Sequence, residues 1–241
     1  MSEENKSQQL DPRIKQLLMQ VSTATLHTAL FKQGLRNTYI QGVSRMNAKD
    51  VKMVGQAFTL RYIPAREDVD SIEAFKDPKH PQRLAVETVP AGHILVSDCR
   101  QDASAASAGS ILLARLAYRD CAGFVSDAGI RDATEAARMD MPVFCAKASA
   151  PTNLTKHHAV DIQVPIGCGG VMVNPGDVLV GDGDGIIVIP FERAAVIAEE
   201  AIRMEKFEAY VIGKVRSGSA VIGLYPPNEE SLAEYTKYTE A

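Results

Sequence analysis

Charged side chains are concentrated at residues 126–135 (SDAGIRDATE), directly after the apolar run at residues 122–125. The planar guanidinium of Arg131 can bind a carboxylate through two parallel hydrogen bonds. The adjacent Asp132 can hold a divalent cation directly or through water, and oxygen ligands with several waters are typical of Mg²⁺ or Mn²⁺. The same spacing is compatible with an exposed ion pair, which would stabilise the fold by only about 0–1 kcal/mol.

A second candidate site lies at Gly109, where the small-residue stretch SAASAGS leads into the apolar run ILLA. A helix that begins at glycine exposes several backbone N–H groups, which point along the positive end of the helix dipole and suit a carboxylate or phosphate. This feature does not identify a site by itself, because most helices of this kind bind nothing.

The elements around these residues alternate in type. Residues 92–98 (GHILVSD), 122–127 and 142–148 (PVFCAKA) have the pattern of buried strands, and residues 107–121 and 133–139 have helical patterns. This order predicts βαβ units and a parallel sheet. Ligands favour the edge at which parallel strands end, so we expect the Gly109 helix and Arg131 to lie together.

The flanking segments predict the remaining elements. Helical spacing covers residues 12–34, with Ser22 and Thr23 as a possible break and cap. Residues 53–64 alternate like a strand, residues 65–82 indicate a loop with a short helix, residues 162–190 a run of hairpins, and residues 191–215 a long helix. The GDGDG at residues 181–185 lacks the spacing of a calcium loop and indicates a tight turn.

The composition suits one globular domain over residues 1–241, with a flexible lead-in at 1–11 and a C-terminal tail at 216–241. The net charge of −4 and the absence of a basic block argue against nucleic acid and anionic membranes as partners. No apolar run is long enough to span a bilayer, and the polar N-terminus is unlike a secretory signal. Four scattered cysteines indicate buried thiols in a reducing compartment, so we expect a cytoplasmic protein.

The central block LVSD…AGSILLARLAYRDCAGFVSDAGIRDATE…MPVFC resembles the family named for the regulator of ribonuclease E activity A. That family includes the class II pyruvate aldolases acting on 4-hydroxy-4-methyl-2-oxoglutarate and 4-carboxy-4-hydroxy-2-oxoadipate. The resemblance extends over roughly residues 20–215. It implies an α/β fold, a single-domain α/β/β/α sandwich with a mixed, partly parallel sheet, assembled as a homotrimer or hexamer with the site between neighbouring subunits.

The resemblance also assigns roles to individual residues. The family arginine, here Arg131, binds the pyruvate carboxylate, and Asp132 and Glu135 belong to the Mg²⁺ or Mn²⁺ site. The backbone amides after the family glycine, Gly109, help to hold the keto acid; here they belong to Ser110, Ile111, Leu112 and Leu113. The implied chemistry is a metal-dependent lyase reaction, a retro-aldol cleavage or an oxaloacetate-type decarboxylation, that releases pyruvate or its enolate.

The sequence departs from the aldolases at Ser110, where they carry an aspartate. Ser110 occupies a family catalytic position and is therefore a candidate catalytic residue beside Arg131 and Asp132. A serine moves a proton at neutral pH only with an activating partner, so this role requires a second group. Asp102, Asp127 and Arg100 are candidates to compensate. Three alternatives remain open: a hydrolase of a 2,4-diketo-3-deoxy sugar acid at the same metal site, a non-catalytic regulator that binds a ribonuclease, and a structural assembly protein with a vestigial site.

Overall fold

The computed structural model describes residues 9–240. Over this range the helices are α1 (Pro12–Met19), α2 (Thr23–Lys32), α3 (Pro81–Thr88), α4 (Ser110–Tyr118), α5 (Ala133–Arg138), α6 (Ala194–Arg216) and α7 (Glu229–Glu240). The strands are β1 (Ser44–Arg45), β2 (Met53–Pro64), β3 (His93–Asp98), β4 (Ala106–Ala108), β5 (Gly123–Ile130), β6 (Val143–Ala148), β7 (His157–Ile162), β8 (Val178–Asp182) and β9 (Gly185–Ile189).

One mixed sheet contains all of these strands: seven follow the order β1-β6-β5-β3-β2-β8-β9, β4 pairs with β5, and β7 pairs with β2. The strands β2, β3, β5 and β6 run parallel to one another, and β4 adds a parallel edge to β5. Strand β2 joins the two halves of the sheet, because its first residues pair with β8 and its last residues pair with β7.

Alternating side chains divide the core into layers. Helices α3, α4 and α5 pack on one half of the sheet, and helices α1, α2 and α6 pack on the half that contains β8 and β9. A third apolar cluster, built mainly from strands and loops, lies between the two halves. In β9, for example, Ile186 and Val188 face this inner cluster, whereas Ile187 and Ile189 face the helices. The predicted α/β/β/α sandwich with a mixed, partly parallel sheet is confirmed.

Several predicted elements have different bounds in the structure. The helical pattern at 12–34 splits into α1 and α2, and Ser22 caps the second helix by accepting a hydrogen bond from the amide of Thr25. The helix predicted at 107–121 begins only at Ser110, because the residues before it form β4. The strand predicted at 122–127 continues to Ile130, so Asp127 lies inside a buried strand.

The chain ends also differ from the sequence predictions. Residues 1–8 of the predicted lead-in lie outside the described residues, and Asp11 caps α1. The predicted tail contains the twelve-residue helix α7, whose Tyr235 packs edge-on against Phe207 of α6. None of the helices over residues 9–240 combines the length and the hydrophobicity needed to cross a membrane.

Gly129 of β5 lies in a closely packed part of the sheet beside β4, and its replacement gives a test of this packing. A Cβ at this position would lie 2.4 Å from Cβ of Ser149 and 3.1 Å from the carbonyl oxygen of Ala105. We predict that Gly129→Ala lowers the free energy of unfolding by about 1–3 kcal/mol, because the backbone must move to admit the methyl group. Urea denaturation measures this change. Gly183→Ala is the matched control, since a Cβ there meets nothing within 4 Å, and equal midpoints for both variants would contradict the packing.

Candidate functional site

A cavity of about 190 Å³ opens where β4 and β5 end. One set of lining residues comes from these strand ends and from the start of α4: Ala106, Ala108, Gly109, Ile111, Leu112, Arg131 and Asp132. A second set comes from residues 75–83 and from the short turn before β7: Phe75, Gln82, Arg83, Thr152 and Asn153. The cavity therefore contains the two candidate sites that the sequence indicated, together with residues that it did not.

Strand register brings Gly109 and Arg131 together. Ala108, the last residue of β4, pairs with Ile130, the last residue of β5, and the amide of Arg131 donates to the carbonyl oxygen of Ala108 at 3.0 Å. The chain therefore leaves the sheet at two neighbouring points. The sequence predicted this proximity from the ends of β3 and a shorter β5, whereas the structure achieves it through β4 and the longer β5.

Asp132 turns the chain from β5 into α5. Its φ of 56° is left-handed, a conformation that aspartate tolerates better than most residues. Its carboxylate does not cap its own helix. Instead, one oxygen of that carboxylate accepts hydrogen bonds from the amide of Ser110 at 3.0 Å and from its hydroxyl at 2.8 Å. The carboxylate is thus bound across the first turn of α4.

The absence of a side chain at Gly109 permits this contact. A Cβ there would lie 3.0 Å from the bonded carboxylate oxygen of Asp132 and 3.3 Å from Cβ of Arg131. The amide and hydroxyl of Ser110 lower the pKa of Asp132 below the usual aspartate value. Asp132 is therefore an anion at neutral pH, beside the positive end of α4.

The first turn of α4 offers fewer open amides than the sequence indicated. The first of its four amides is bound to Asp132, and the amides of Leu112 and Leu113 both donate to the carbonyl oxygen of Gly109 at 3.1 Å. Within residues 9–240, only the amide of Ile111 among these four has no acceptor. The structure therefore leaves one amide of this turn available to an anion.

The groups considered as replacements for the missing aspartate point elsewhere. Asp127 is buried and accepts hydrogen bonds from three loop amides, and burial raises its pKa. Asp102 accepts hydrogen bonds from the amide and hydroxyl of Ser104, and Arg100 donates to the carbonyl oxygen of Lys156. None of the three lines the cavity. Asp132 is the one carboxylate among its described lining residues.

Glu135 lies outside this cavity lining, and its carboxylate is 2.9 Å from the guanidinium of Arg138. Within residues 9–240, no group of three or more His, Cys, Asp or Glu side chains is arranged to hold a metal. Asp132 alone still fits Mg²⁺ or Mn²⁺, because Mg²⁺ commonly uses one or two carboxylates and takes its other oxygens from substrate and water. The second oxygen of Asp132 has no hydrogen-bond partner in the described part of the chain.

Sequence reasoning missed the second set of lining residues. The sequence contains a pattern from which helix α3 can be predicted, because Pro81 occupies its first turn and Ala85 and Val86 give it an apolar face. No local pattern places Arg83 or Asn153 at the same cavity as Arg131, because these residues meet only through long-range packing.

Comparisons with known proteins identify relatives in sequence and in fold. A family model described as RraA-like, Aldolase/RraA, matches residues 23–188. A protein of Halalkalibacterium halodurans with the provisional name 4-hydroxy-4-methyl-2-oxoglutarate aldolase is 39% identical over 110 residues, which are 46% of this chain and 52% of that protein. Protein DlpA of Legionella pneumophila is 22% identical over 87% of this chain and 33% of its own length. The chain thus covers about half or less of these two relatives.

Two solved structures share the fold. An uncharacterised protein from Pseudomonas syringae superposes with a TM-score of 0.77 at 23% identity, covering 90% of this chain and 99% of that one. RraAS2 of Streptomyces coelicolor, described as an unusual member of the RNase ES inhibitor RraA protein family, gives a TM-score of 0.74 at 28% identity, covering 84% of this chain and 97% of that one. The first likeness concerns the fold alone.

The bond between Ser110 and Asp132 predicts a measurable pKa change. We expect Ser110→Ala to raise the pKa of Asp132 toward its ordinary value, because the hydroxyl bond to the ionised form is lost while the amide bond remains. Carboxyl ¹³C NMR titration measures it. Ser104→Ala is the control, since it removes the equivalent hydroxyl bond to Asp102. An unchanged Asp132 titration in Ser110→Ala would contradict the geometry.

Proposed function

The chain belongs to the RraA-like family, and from this membership we propose that it is a divalent-metal-dependent lyase that cleaves a 2-keto acid to pyruvate or its enolate. The observation that carries the proposal is the meeting of Arg131, Asp132 and the start of α4 in one cavity. The aldolase name carried by the Halalkalibacterium halodurans relative supports the same reaction class.

Arg131 is the proposed anchor for the substrate carboxylate. Within residues 9–240, no aspartate or glutamate forms an ion pair with its guanidinium, although the side chain lines the cavity. A planar guanidinium binds a carboxylate through two hydrogen bonds and fixes its orientation. The open amide of Ile111 is a further donor for the same group or for the adjacent keto oxygen.

Asp132 is the proposed holder of Mg²⁺ or Mn²⁺, with Glu135 as the second acid that the family pattern assigns. A bound divalent cation would act as a Lewis acid toward the keto-acid oxygens and stabilise negative charge that develops there. Ser110 holds Asp132 through two hydrogen bonds, so the carboxylate is already oriented before a ligand arrives.

The need for a general base favours decarboxylation over retro-aldol cleavage. Retro-aldol cleavage must remove the proton of the substrate hydroxyl, whereas loss of CO₂ from an oxaloacetate-like acid leaves an enolate that takes a proton from water. The described cavity lining contains no carboxylate except Asp132, and its lowered pKa makes it a weak base. We therefore propose oxaloacetate-type decarboxylation as the reaction that this chain's own residues support best.

We predict that the purified protein releases pyruvate from oxaloacetate in the presence of Mg²⁺ or Mn²⁺, and releases it more slowly from 4-hydroxy-2-oxo acids. Arg131→Ala and Asp132→Ala should each reduce kcat/KM by about 100-fold or more, because each removes a charge that binds or stabilises the reacting acid. Asp140→Ala is the control, since Asp140 is exposed and, among residues 9–240, forms an ion pair with Lys49 alone. Release of a carboxylic acid from a 2,4-diketo acid would instead identify a hydrolase. Full activity in Asp132→Ala would exclude the proposed site.

A second candidate function is the binding of a ribonuclease, which the description of Streptomyces coelicolor RraAS2 supports at 28% identity. A pull-down with an RNase E-type ribonuclease in the presence and absence of Mg²⁺ separates the two functions. Metal-independent capture without pyruvate release would favour the regulator.

A homotrimer, or a pair of trimers, is the proposed assembly. Ile111 and Tyr118 lie seven residues apart on the same face of α4 and are 83% and 79% exposed. Exposed apolar side chains beside a cavity are typical of a surface that a second subunit covers. We predict a trimer or hexamer in analytical ultracentrifugation, dissociated by Tyr118→Asp but not by Ile222→Asp, which alters a similarly exposed residue far along the chain. A monomeric wild-type protein would contradict this assembly.

A further inference from the structure

The cavity continues beyond the proposed pyruvate site to the second set of lining residues, and the structure assigns that set a function. We propose that Arg83, with Phe75 beneath it, forms a subsite for a second anionic group at the other end of the substrate, a group that the reaction does not remove. Arg83 is then a specificity-determining residue that selects keto acids with a terminal carboxylate or phosphate. This inference rests on the proposed function, because it extends the same cavity.

Arg83 is held with its hydrogen-bonding groups unused. Its guanidinium carbon lies 4.3 Å from the centre of the Phe75 ring, a cation–π distance. Within residues 9–240, no carboxylate forms an ion pair with it and no carbonyl accepts a hydrogen bond from it. The ring contacts the guanidinium without using its N–H donors, so these donors remain available for an anion.

The segment that carries Phe75 is fixed to the rest of the protein. Asp70, with a side chain only 3% exposed, accepts hydrogen bonds from the ring of His158 at 2.7 Å and from the amide of Arg66 at 2.8 Å. The ring of His80 packs edge-on against Phe75, with 5.2 Å between ring centres. These contacts order the segment before a ligand binds, which reduces the entropy cost of recognition.

The two ends of the cavity are also connected to each other. Gln82, next to Arg83 in the first turn of α3, is buried and donates its side-chain amide to the carbonyl oxygen of Ser107 at 2.7 Å. Ser107 lies in β4, two residues before Gly109 at the pyruvate site. The separation between Arg83 and the start of α4 is therefore set by a buried hydrogen bond, and a substrate of fixed length can use both ends.

The charges of the cavity indicate the substrate class. Arg83 and Arg131 are the cationic side chains that line it, and Asp132 is the one acidic lining residue among those the structure describes. A keto acid with an uncharged tail would satisfy Arg131 and leave Arg83 without a partner. A substrate with two anionic ends satisfies both, so discrimination between such ligands should depend on Arg83.

Matched ligands test this assignment. Isothermal titration calorimetry in Mg²⁺ compares 2-oxoglutarate with 2-oxopentanoate, which has the same chain length but lacks the second carboxylate, and 2-oxo-4-phosphonobutanoate adds the phosphonate equivalent. We expect wild-type protein to bind one of the two dianionic ligands about 10-fold or more tightly than 2-oxopentanoate, as a charge-assisted hydrogen bond gives. The preferred dianion identifies the terminal group as carboxylate or phosphate.

Substitutions then test whether Arg83 causes the preference for dianionic ligands. Arg83→Gln should reduce the preference to within about 3-fold, and Arg83→Lys should retain part of it, because lysine keeps the charge and loses the planar fork. Affinity for oxalate, which needs only the Arg131 end, should not change in either variant. Arg66→Gln is the matched control in the same segment, since Arg66 pairs with Asp68 and does not line the cavity. Circular dichroism confirms that the variants are folded.

Each outcome has a separate meaning. If wild-type protein binds oxalate but does not prefer the dianions, or keeps its preference in Arg83→Gln, the subsite is wrong and the proposed lyase site stands. If neither oxalate nor any keto acid binds with Mg²⁺ or Mn²⁺, the proposed function fails and the subsite fails with it.

Discussion

The buried carboxylate of Asp127 is the constraint on which the candidate-site edge of the sheet depends. It accepts hydrogen bonds from the amides of Cys99 at 2.6 Å, Gln101 at 2.9 Å and Gly169 at 3.1 Å, and these belong to two loops remote in sequence from β5. Burial of a charge is costly unless such donors replace water. Here the donors are backbone groups, so the satisfied carboxylate fixes the path of the main chain.

The consequences of this constraint extend to the site. Arg100 and Gln101 have left-handed φ values of 60° and 59°, which cost roughly 1–3 kcal/mol each in residues other than glycine. The bonds to Asp127 help to stabilise this turn, which leads directly into β4. Strand β4 in turn presents Gly109 beside Asp132. A buried carboxylate outside the cavity lining thus helps to determine where the first turn of α4 lies.

The site itself combines groups that are oriented before a ligand arrives. Ser110 holds the carboxylate of Asp132, Phe75 lies under the guanidinium of Arg83, and Arg131 leaves the sheet at a point set by strand register. Preorganised charges of this kind require little rearrangement when a ligand binds. Ser110 thus supports the neighbouring acid through its amide and its hydroxyl.

The sequence patterns by themselves predicted the βαβ units, the family resemblance implied the layered sandwich, and both indicated Arg131 and Asp132 as candidate site residues. An alternating pattern predicted β2, and short apolar runs predicted β3 and β6, because a strand buried on one face alternates whereas a strand buried on both faces is apolar throughout. The RDATE segment marked Arg131 and Asp132, which the structure places in one cavity. Only the tertiary structure decided the length of β5 and the second half of the site. From the sequence, Asp127 is predicted to be a polar residue at the end of a strand. In the structure, loops remote in sequence supply three N–H donors to its carboxylate. From the sequence, nothing distinguishes Arg83 from an ordinary surface arginine. In the structure, the packing of α3 beside β4 places it at the cavity. Both depend on contacts between residues distant in sequence, which no local pattern encodes.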